Sequence, residues 1–187
     1  MDRILLVRHA EAQGHDGDDP GLSPLGVHQA SLLAERLAGQ DVAEVLHGPR
    51  RRARQTAHQV AQRLGCPLHQ THLLEDRTPY PSAGRWGDYP QHRHALLHGV
   101  PEQERDEDGV ALAAAWTRLS VPGSSGVLVA ITHAFVVGSF VREVLGAPPA
   151  AWMQLPIANA SITDLRAREN GEWSVAGVSD VGHLRGL

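Results

Sequence analysis

Two short apolar runs, each ending in a histidine, organise the chain. The first is Ile4-Leu5-Leu6-Val7 followed by Arg8-His9-Ala10-Glu11, and the second is Val127-Leu128-Val129-Ala130-Ile131 followed by Thr132-His133-Ala134. Both runs are rich in β-branched and aliphatic residues without alternation, the pattern of strands buried on both faces. Between them, polar and apolar positions follow helical spacing. The first helix is predicted from the N-cap Ser23 and Pro24 to Gly39, with Val27, Ala30, Leu33 and Leu37 on one face. A second strand is predicted over Val42–Leu46, and a second helix over Arg51–Leu64 with Ala57, Val60, Ala61 and Leu64 inward and Gly65 as terminator. A third strand is expected near Leu68–Leu73.

From about residue 76 to 108 the period is lost. Pro79, Pro81, Pro90 and Pro101 punctuate a stretch that also holds Tyr80, Trp86 and Tyr89, so an irregular cap is expected with one helix around Gln91–Leu97. Helical spacing resumes over Ala111–Leu119, residues 122–126 turn into the second apolar run, and a helix is expected from Phe135 to Leu145, closed by Gly146. The tail differs. Ala160–Arg166 and Trp173–Val178 are predicted strands joined at Asn170-Gly171, a strong hairpin signal. No internal repeat or low-complexity linker interrupts this order. Alternating strands and helices followed by a hairpin predict an α/β fold: a three-layer α/β/α sandwich with a mostly parallel sheet, in one domain over residues 1–187.

Composition changes the picture by exclusion. The chain has 187 residues, a formal net charge of −4 and an isoelectric point near 6.3, so no nucleic-acid or acidic-membrane partner is expected. Cys66 is the single cysteine, which excludes an internal disulfide and Cys-rich zinc modules. It follows a helix-ending glycine and is expected to be inert. The N-terminal apolar run is too short for a signal peptide, and residues 127–141, interrupted by His133, fall short of the roughly 20 residues a membrane helix needs. A soluble cytoplasmic protein is the simplest expectation; its oligomeric state is not legible.

The chemistry sits at the strand ends. In an open α/β sheet the ligand crevice lies beyond the carboxyl ends of the strands, so His9 and His133 are expected to share a pocket. Arg8 adds a permanent cation there, and Pro49-Arg50-Arg51-Arg52-Ala53-Arg54-Gln55-Thr56-Ala57 supplies more. Histidines with guanidinium groups suit a phosphoryl group.

At these residues the chain resembles a known family, the histidine phosphatase superfamily, also called phosphoglycerate mutase-like. Arg8-His9-Ala10-Glu11 is similar to its Arg-His-Gly signature. Leu22-Ser23-Pro24-Leu25-Gly26-Val27-His28-Gln29-Ala30 resembles its Leu-Thr-x-x-Gly-x-x-Gln-Ala segment. Pro49 to Ala57 resembles Ser-Pro-x-x-Arg-Ala-x-Gln-Thr-Ala, and Thr132-His133 falls where the family places its second histidine. The four matches occur in order over roughly residues 3 to 145.

The resemblance implies a phosphoglycerate mutase-like fold and a phosphatase that needs no metal or other cofactor and acts on a small phosphate ester or a phosphorylated protein. It implies His9 as nucleophile through a phosphohistidine, Arg8 and Arg52 as phosphate clamp, and His133 as an electrostatic partner that also contacts the phosphate. A carboxylate after the third strand would protonate the leaving group. Glu75 matches the Leu-x-Glu spacing, with Asp76 as its adjacent rival. The alternatives are a phosphomutase of the same family, or a catalytically weak module that binds phosphate or a phosphoprotein.

Several positions depart from the family pattern. Ala10 stands for the glycine after the catalytic histidine, His47-Gly48 for a serine pair before Pro49, and His15 for an asparagine six residues after His9. The Gly-x-x-Glu-Gly motif is absent, with Gly84–Asp88 at most a distant echo. Other features carry blander expectations. Arg50, Arg51 and Arg54 fit ion pairs at a solvated helix start, and the acidic run Glu102–Asp108 fits a solvated loop. Tyr80, Trp86 and Tyr89 fit cap packing. His92, His94 and His98 have metal-like spacing, but no carboxylate or cysteine pattern completes a site.

Overall fold

A computed structural model describes residues 2–14, 19–121 and 126–187. The first apolar run forms β1 (Arg3–Arg8) and the second β6 (Val127–Thr132); between them lie β2 (Val42–His47) and β3 (Leu68–Gln70), and the tail supplies β7 (Ile162–Ala167) and β8 (Trp173–Asp180). These form one sheet in the order β3-β2-β6-β1-β7-β8. The first four strands in that order are mutually parallel, whereas β7 runs antiparallel to β1 and β8 antiparallel to β7. The expected α/β/α sandwich is thus the observed fold, with the hairpin as the antiparallel edge. Its turn contains Gly171 at φ 82°, a left-handed conformation that glycine adopts without steric cost.

Helices α1 (Pro24–Leu37) and α2 (Arg51–Leu64) cover one face of the sheet, and α4 (Val110–Leu119) and α5 (Ala134–Leu145) cover the other. Successive side chains of β1 serve the two faces alternately. Leu5 and Val7 pack on Leu33 of α1 and Val60 of α2, while Ile4 and Leu6 pack in the cluster that holds Leu112 and Phe140. This double burial is why both histidine-bearing strands lack a polar face.

Two local expectations are revised. Val27 is exposed, and the buried stripe of α1 instead runs through Gly26, Ala30, Leu33, Ala34 and Leu37. The cause is a close approach: a Cβ on Gly26 would lie 1.9 Å from the Glu11 carbonyl oxygen, so this turn of the helix presses its backbone against the loop after His9. The third strand is shorter than expected. After Gln70 the chain tightens into a 3-10 turn over His72–Leu74, which buries Leu74.

The segment without a period adopts short pieces of structure. Strand β4 (Thr78–Tyr80) pairs in parallel with β5 (Arg105–Glu107), and between them lie several 3-10 turns and one helix, α3 (His94–His98), displaced from the expected Gln91–Leu97. Trp86 anchors this cap, its ring 4.9 Å from that of His98, 5.0 Å from His94 and 5.6 Å from Tyr80. Among the described residues no helix is long and apolar enough to cross a membrane.

A contact from β6 fixes the segment that leads into the cap. The Leu74 carbonyl accepts from Thr132 Oγ1 at 2.9 Å, and a Cβ at Gly48 would lie 2.2 Å from the same oxygen. Glycine at this position lets the segment before Asp76 lie across the ends of β2 and β6. Gly48→Ala must therefore push that segment outward, at a cost of about 1–3 kcal/mol as for other overpacked sites. Thermal melts of Gly48→Ala are expected to show a lower Tm; an unchanged Tm would contradict this packing.

Candidate active site

The parallel register of β1 and β6 pairs Arg8 with Thr132, and the next backbone bond, from His9 N to Thr132 O at 2.9 Å, holds the following residues together. His9 and His133 therefore leave the sheet side by side, with ring centroids 5.1 Å apart in an edge-to-face arrangement. The Arg8 side chain donates to the Ile157 carbonyl at 2.7 Å. Arg52 enters from the first turn of α2 and is buried, at 2% exposure. Its Nε donates to His9 Nε2 at 3.1 Å and its Nη2 to Asp76 Oδ2 at 2.7 Å. The same Asp76 oxygen lies 3.1 Å from His133 Nδ1. Together these residues line a cavity of about 330 Å³ at the carboxyl ends of the strands.

The chemical state of His9 follows from its contacts. Nδ1 lies 2.8 Å from the Ala10 carbonyl, an acceptor only, so Nδ1 carries the proton. Nε2 receives the Arg52 N–H and so presents a lone pair. Burial, assisted by the charges of Arg52 and Arg8 and opposed by the Ala10 carbonyl, lowers the His9 pKa to about 3. Burial likewise holds His133 well below the ordinary histidine range, with His9, Arg52, Arg50 and Arg8 adding to the effect. Both rings are neutral at physiological pH, and His9 offers an unprotonated nitrogen beside two guanidinium groups.

The polar residues of the matched segments hold this arrangement. Thr56 Oγ1 donates to the Arg52 carbonyl at 2.8 Å and accepts from Ala10 N at 3.1 Å, tying the start of α2 to the loop after His9. Gln29 accepts from Glu11 N at 2.8 Å and Gln55 from Leu22 N at 2.7 Å. Asn159 was not anticipated. Its side-chain amide donates to the His9 carbonyl at 3.0 Å and it lines the cavity, yet a lone asparagine before the hairpin carries no signal in the sequence.

The structure does not bring every candidate into the cavity. Glu75 faces away from it: Oε2 accepts from Arg77 at 2.8 Å and lies 3.9 Å from His72 Nδ1, and the side chain is 33% exposed. Asp76 is the carboxylate at the cavity wall. The reason is backbone geometry. The chain is extended at Glu75, with φ −64° and ψ 150°, so successive side chains point to opposite sides, and with Leu74 in the core Asp76 turns inward while Glu75 turns out. Ala10 is fully buried and fits without a glycine. His47 is buried beside the Gly48 carbonyl, outside the cavity lining, and His15 lies outside the described residues. Arg51 N is capped by Asp19, and Arg50 pairs with Glu104. Among the described residues no three His, Cys, Asp or Glu side chains gather as a metal site; His94 and His98 flank Trp86 instead.

Comparison with known proteins agrees with this geometry. Residues 4–181 match the family model of the histidine phosphatase superfamily, branch 1. The chain belongs to this superfamily. It is 31% identical over 186 residues to the mitochondrial serine/threonine-protein phosphatase Pgam5 of Caenorhabditis briggsae, an alignment covering 97% of this chain and 64% of that protein. The chain thus spans just under two thirds of that relative's length. It is 27% identical over 212 residues to the probable phosphoglycerate mutase GpmB of Serratia proteamaculans, covering 98% of this chain and 95% of that one. Among solved structures, a mycobacterial glucosyl-3-phosphoglycerate phosphatase superposes with a TM-score of 0.74 at 22% identity, over 95% of this chain and 98% of that one. A phosphoserine phosphatase from Entamoeba histolytica gives 0.73 at 19% identity, over 98% of this chain and all of that one. These two likenesses establish the phosphoglycerate mutase-like fold.

The depressed histidine pKa values make stability depend on pH. Between pH 6.5, the ordinary histidine value, and about 3, the unfolded chain binds a proton at His9 that the folded protein does not, so acidification favours unfolding; His133 acts in the same direction. Stability is expected to fall as pH drops below 6.5, by up to about 1.4 kcal/mol per pH unit for each histidine fully titrated in the unfolded chain alone. Urea midpoints measured from pH 7.5 to 5 would show this slope, flattened in His9→Ala and His133→Gln. An equal slope in both variants would contradict the assignment.

Proposed function

We propose that this chain is a phosphatase that hydrolyses a phosphate monoester through a phosphohistidine on His9, without a metal ion. The observation that carries this reading is the buried, neutral His9 presenting Nε2 into a cavity it shares with Arg8, Arg52, His133 and Asp76. Hydrolysis of a monoester needs a nucleophile in line, charge stabilisation on the equatorial oxygens and a proton for the departing oxygen. Those five side chains supply all three.

In the first step Arg8 and Arg52 bind the phosphoryl oxygens, and Arg52 turns part of its hydrogen bonding from His9 and Asp76 to the substrate. The substrate arrives as its monoanion, and its proton passes to the Asp76 carboxylate as Arg52 turns to the phosphoryl oxygens. The Nε2 lone pair forms a bond to phosphorus as the ester P–O bond breaks, and the departing oxygen takes the proton of Asp76. The ring now carries positive charge, stabilised through the Ala10 carbonyl that accepts from Nδ1. His133 contributes an N–H to the transferring group. In the second step the Asp76 carboxylate takes a proton from water as its oxygen attacks phosphorus; the N–P bond breaks, orthophosphate forms and His9 regains its lone pair. Guanidinium groups provide the positive field that a metal pair supplies in other phosphatases, and the neutral His133 adds only its N–H dipole.

Asp76, rather than Glu75, is the proposed acid, because it alone of the two lies at the cavity wall. A general acid contributes roughly 10²- to 10⁴-fold when the leaving group is poor. Turnover of an alkyl phosphate and of 4-nitrophenyl phosphate, measured with a chelator present, is expected to show a much larger loss on the alkyl ester for Asp76→Asn and no such asymmetry for Glu75→Gln. Rapid-quench labelling is expected to trap an acid-labile phosphohistidine that His9→Ala lacks. Full activity of His9→Ala, or loss of all activity on chelation, would overturn the mechanism. Transfer of the phosphoryl group to a second phosphorylated alcohol instead of water would make the protein a mutase.

A further inference from the structure

The cap places one carboxylate in the cavity that the proposed reaction does not use. Glu104 closes a short 3-10 turn, Glu102–Glu104, immediately before β5. It lines the same cavity as Arg8, Arg52 and His133. Its Oε1 accepts from Arg50 Nη2 at 2.8 Å, in a pair whose side chains are only 14% and 25% exposed. The next two residues fix its position. Arg105 donates to the Val100 carbonyl and lies over the Tyr80 ring, 4.5 Å from its centroid. Asp106 is buried and accepts from Ala111 N and Leu112 N at the start of α4. Glu104 is therefore held by structure on its C-terminal side, and the acidic run from Glu102 to Asp108 is only partly a solvated loop.

The charge inventory gives this placement its meaning. The described cavity lining contains two arginines, Arg8 and Arg52, and three carboxylates, Glu11, Asp76 and Glu104. Both lining arginines belong to the phosphate clamp. A further cation, Arg50, is close enough for its charge to bear on His133 but is engaged by Glu104. An alcohol carrying a carboxylate or a second phosphate beside the ester would bring another anion against Glu104, while both arginines of the described lining serve the phosphate and Arg50 is held by Glu104. Like charges placed together at a binding interface oppose binding. An uncharged hydroxylated alcohol meets no such penalty and can hydrogen-bond to the carboxylate.

We infer that Glu104, by engaging Arg50 at the cavity wall, makes this site selective for phosphate monoesters of uncharged alcohols and excludes esters that carry a second anionic group. The inference rests on the reading of Arg8 and Arg52 as phosphate clamp. It assigns a specificity role to Glu104, which lies outside every matched motif segment, through its pairing with Arg50. Phe135, in the first turn of α5, lines the same cavity with its ring 4.9 Å from that of Trp152, and gives the alcohol an apolar wall.

Binding tests this without requiring turnover. Calorimetric titration of the His9→Ala protein with glycerol 2-phosphate and with 3-phosphoglycerate is expected to give at least tenfold tighter binding of the uncharged-alcohol ester. Glu104→Gln in the same background releases Arg50 to a substrate carboxylate and is expected to shrink that ratio at least tenfold. The ratio of kcat/KM for the two esters in the protein with His9 intact gives the same comparison if His9→Ala does not fold. Equal or tighter binding of 3-phosphoglycerate with Glu104 in place would overturn the inference, as would a ratio that Glu104→Gln leaves unchanged. Loss of 3-phosphoglycerate binding on Arg50→Ala alone would also overturn it, since Arg50 would then be the carboxylate receptor. Hydrolysis of 4-nitrophenyl phosphate separates the two readings: selective binding without hydrolysis refutes the phosphatase and keeps the selectivity, whereas hydrolysis without selectivity does the reverse.

Discussion

The parallel register between β1 and β6 is the constraint on which the site depends. Arg8 opposite Thr132, with His9 N bonded to the Thr132 carbonyl, brings two residues more than 120 positions apart in sequence into one pocket. A shift of one residue in either strand would reverse which side chains meet the two faces of the sheet. Because both faces are packed under helices, such a shift is strongly penalised, and the core thereby fixes the chemistry. The second consequence falls on the cap: Thr132 also holds the Leu74 carbonyl, so the strand that sets the histidines sets the approach of Asp76 as well.

Burial then does two opposing things. It makes a protonated imidazole costly, which leaves His9 neutral with a pKa near 3 and a lone pair on Nε2. It also makes unpaired guanidinium groups costly, and the structure responds by tying Arg52 to Asp76 and Arg8 to the Ile157 carbonyl. Bonds between charged groups are the stronger class, so the proposed phosphate ester would compete with these contacts for both guanidinium groups.

Most of this was legible where one periodicity dominates. The doubly buried strands, the two central helices and the Asn170-Gly171 hairpin announce themselves because burial on one or two faces imposes a pattern. His9, His133, Arg8 and Arg52 were legible because strand ends define the crevice and because the matched segments occur in order. Spacing and side-chain reach favour Glu75 over Asp76 in the sequence, and the structure separates them by the alternation of an extended backbone after Leu74, a feature set by the fold of the cap. Val27 was misplaced for a related reason: the approach of Gly26 to Glu11 rotates the buried stripe of α1, and nothing in helical periodicity encodes a backbone contact. Asn159 and the pairing of Glu104 with Arg50 depend wholly on tertiary placement, so no local sequence signal precedes them.

The protonation state of His9 is the point at which fold and chemistry meet, and side-chain ¹⁵N NMR of histidine-labelled protein reads it directly. At pH 6, where a free histidine is largely protonated, the His9 ring is expected to be neutral, with Nδ1 bearing the hydrogen and Nε2 bare. A doubly protonated ring, or a neutral ring with the hydrogen on Nε2, would contradict the account, because neither leaves a lone pair at the nitrogen that faces Arg52.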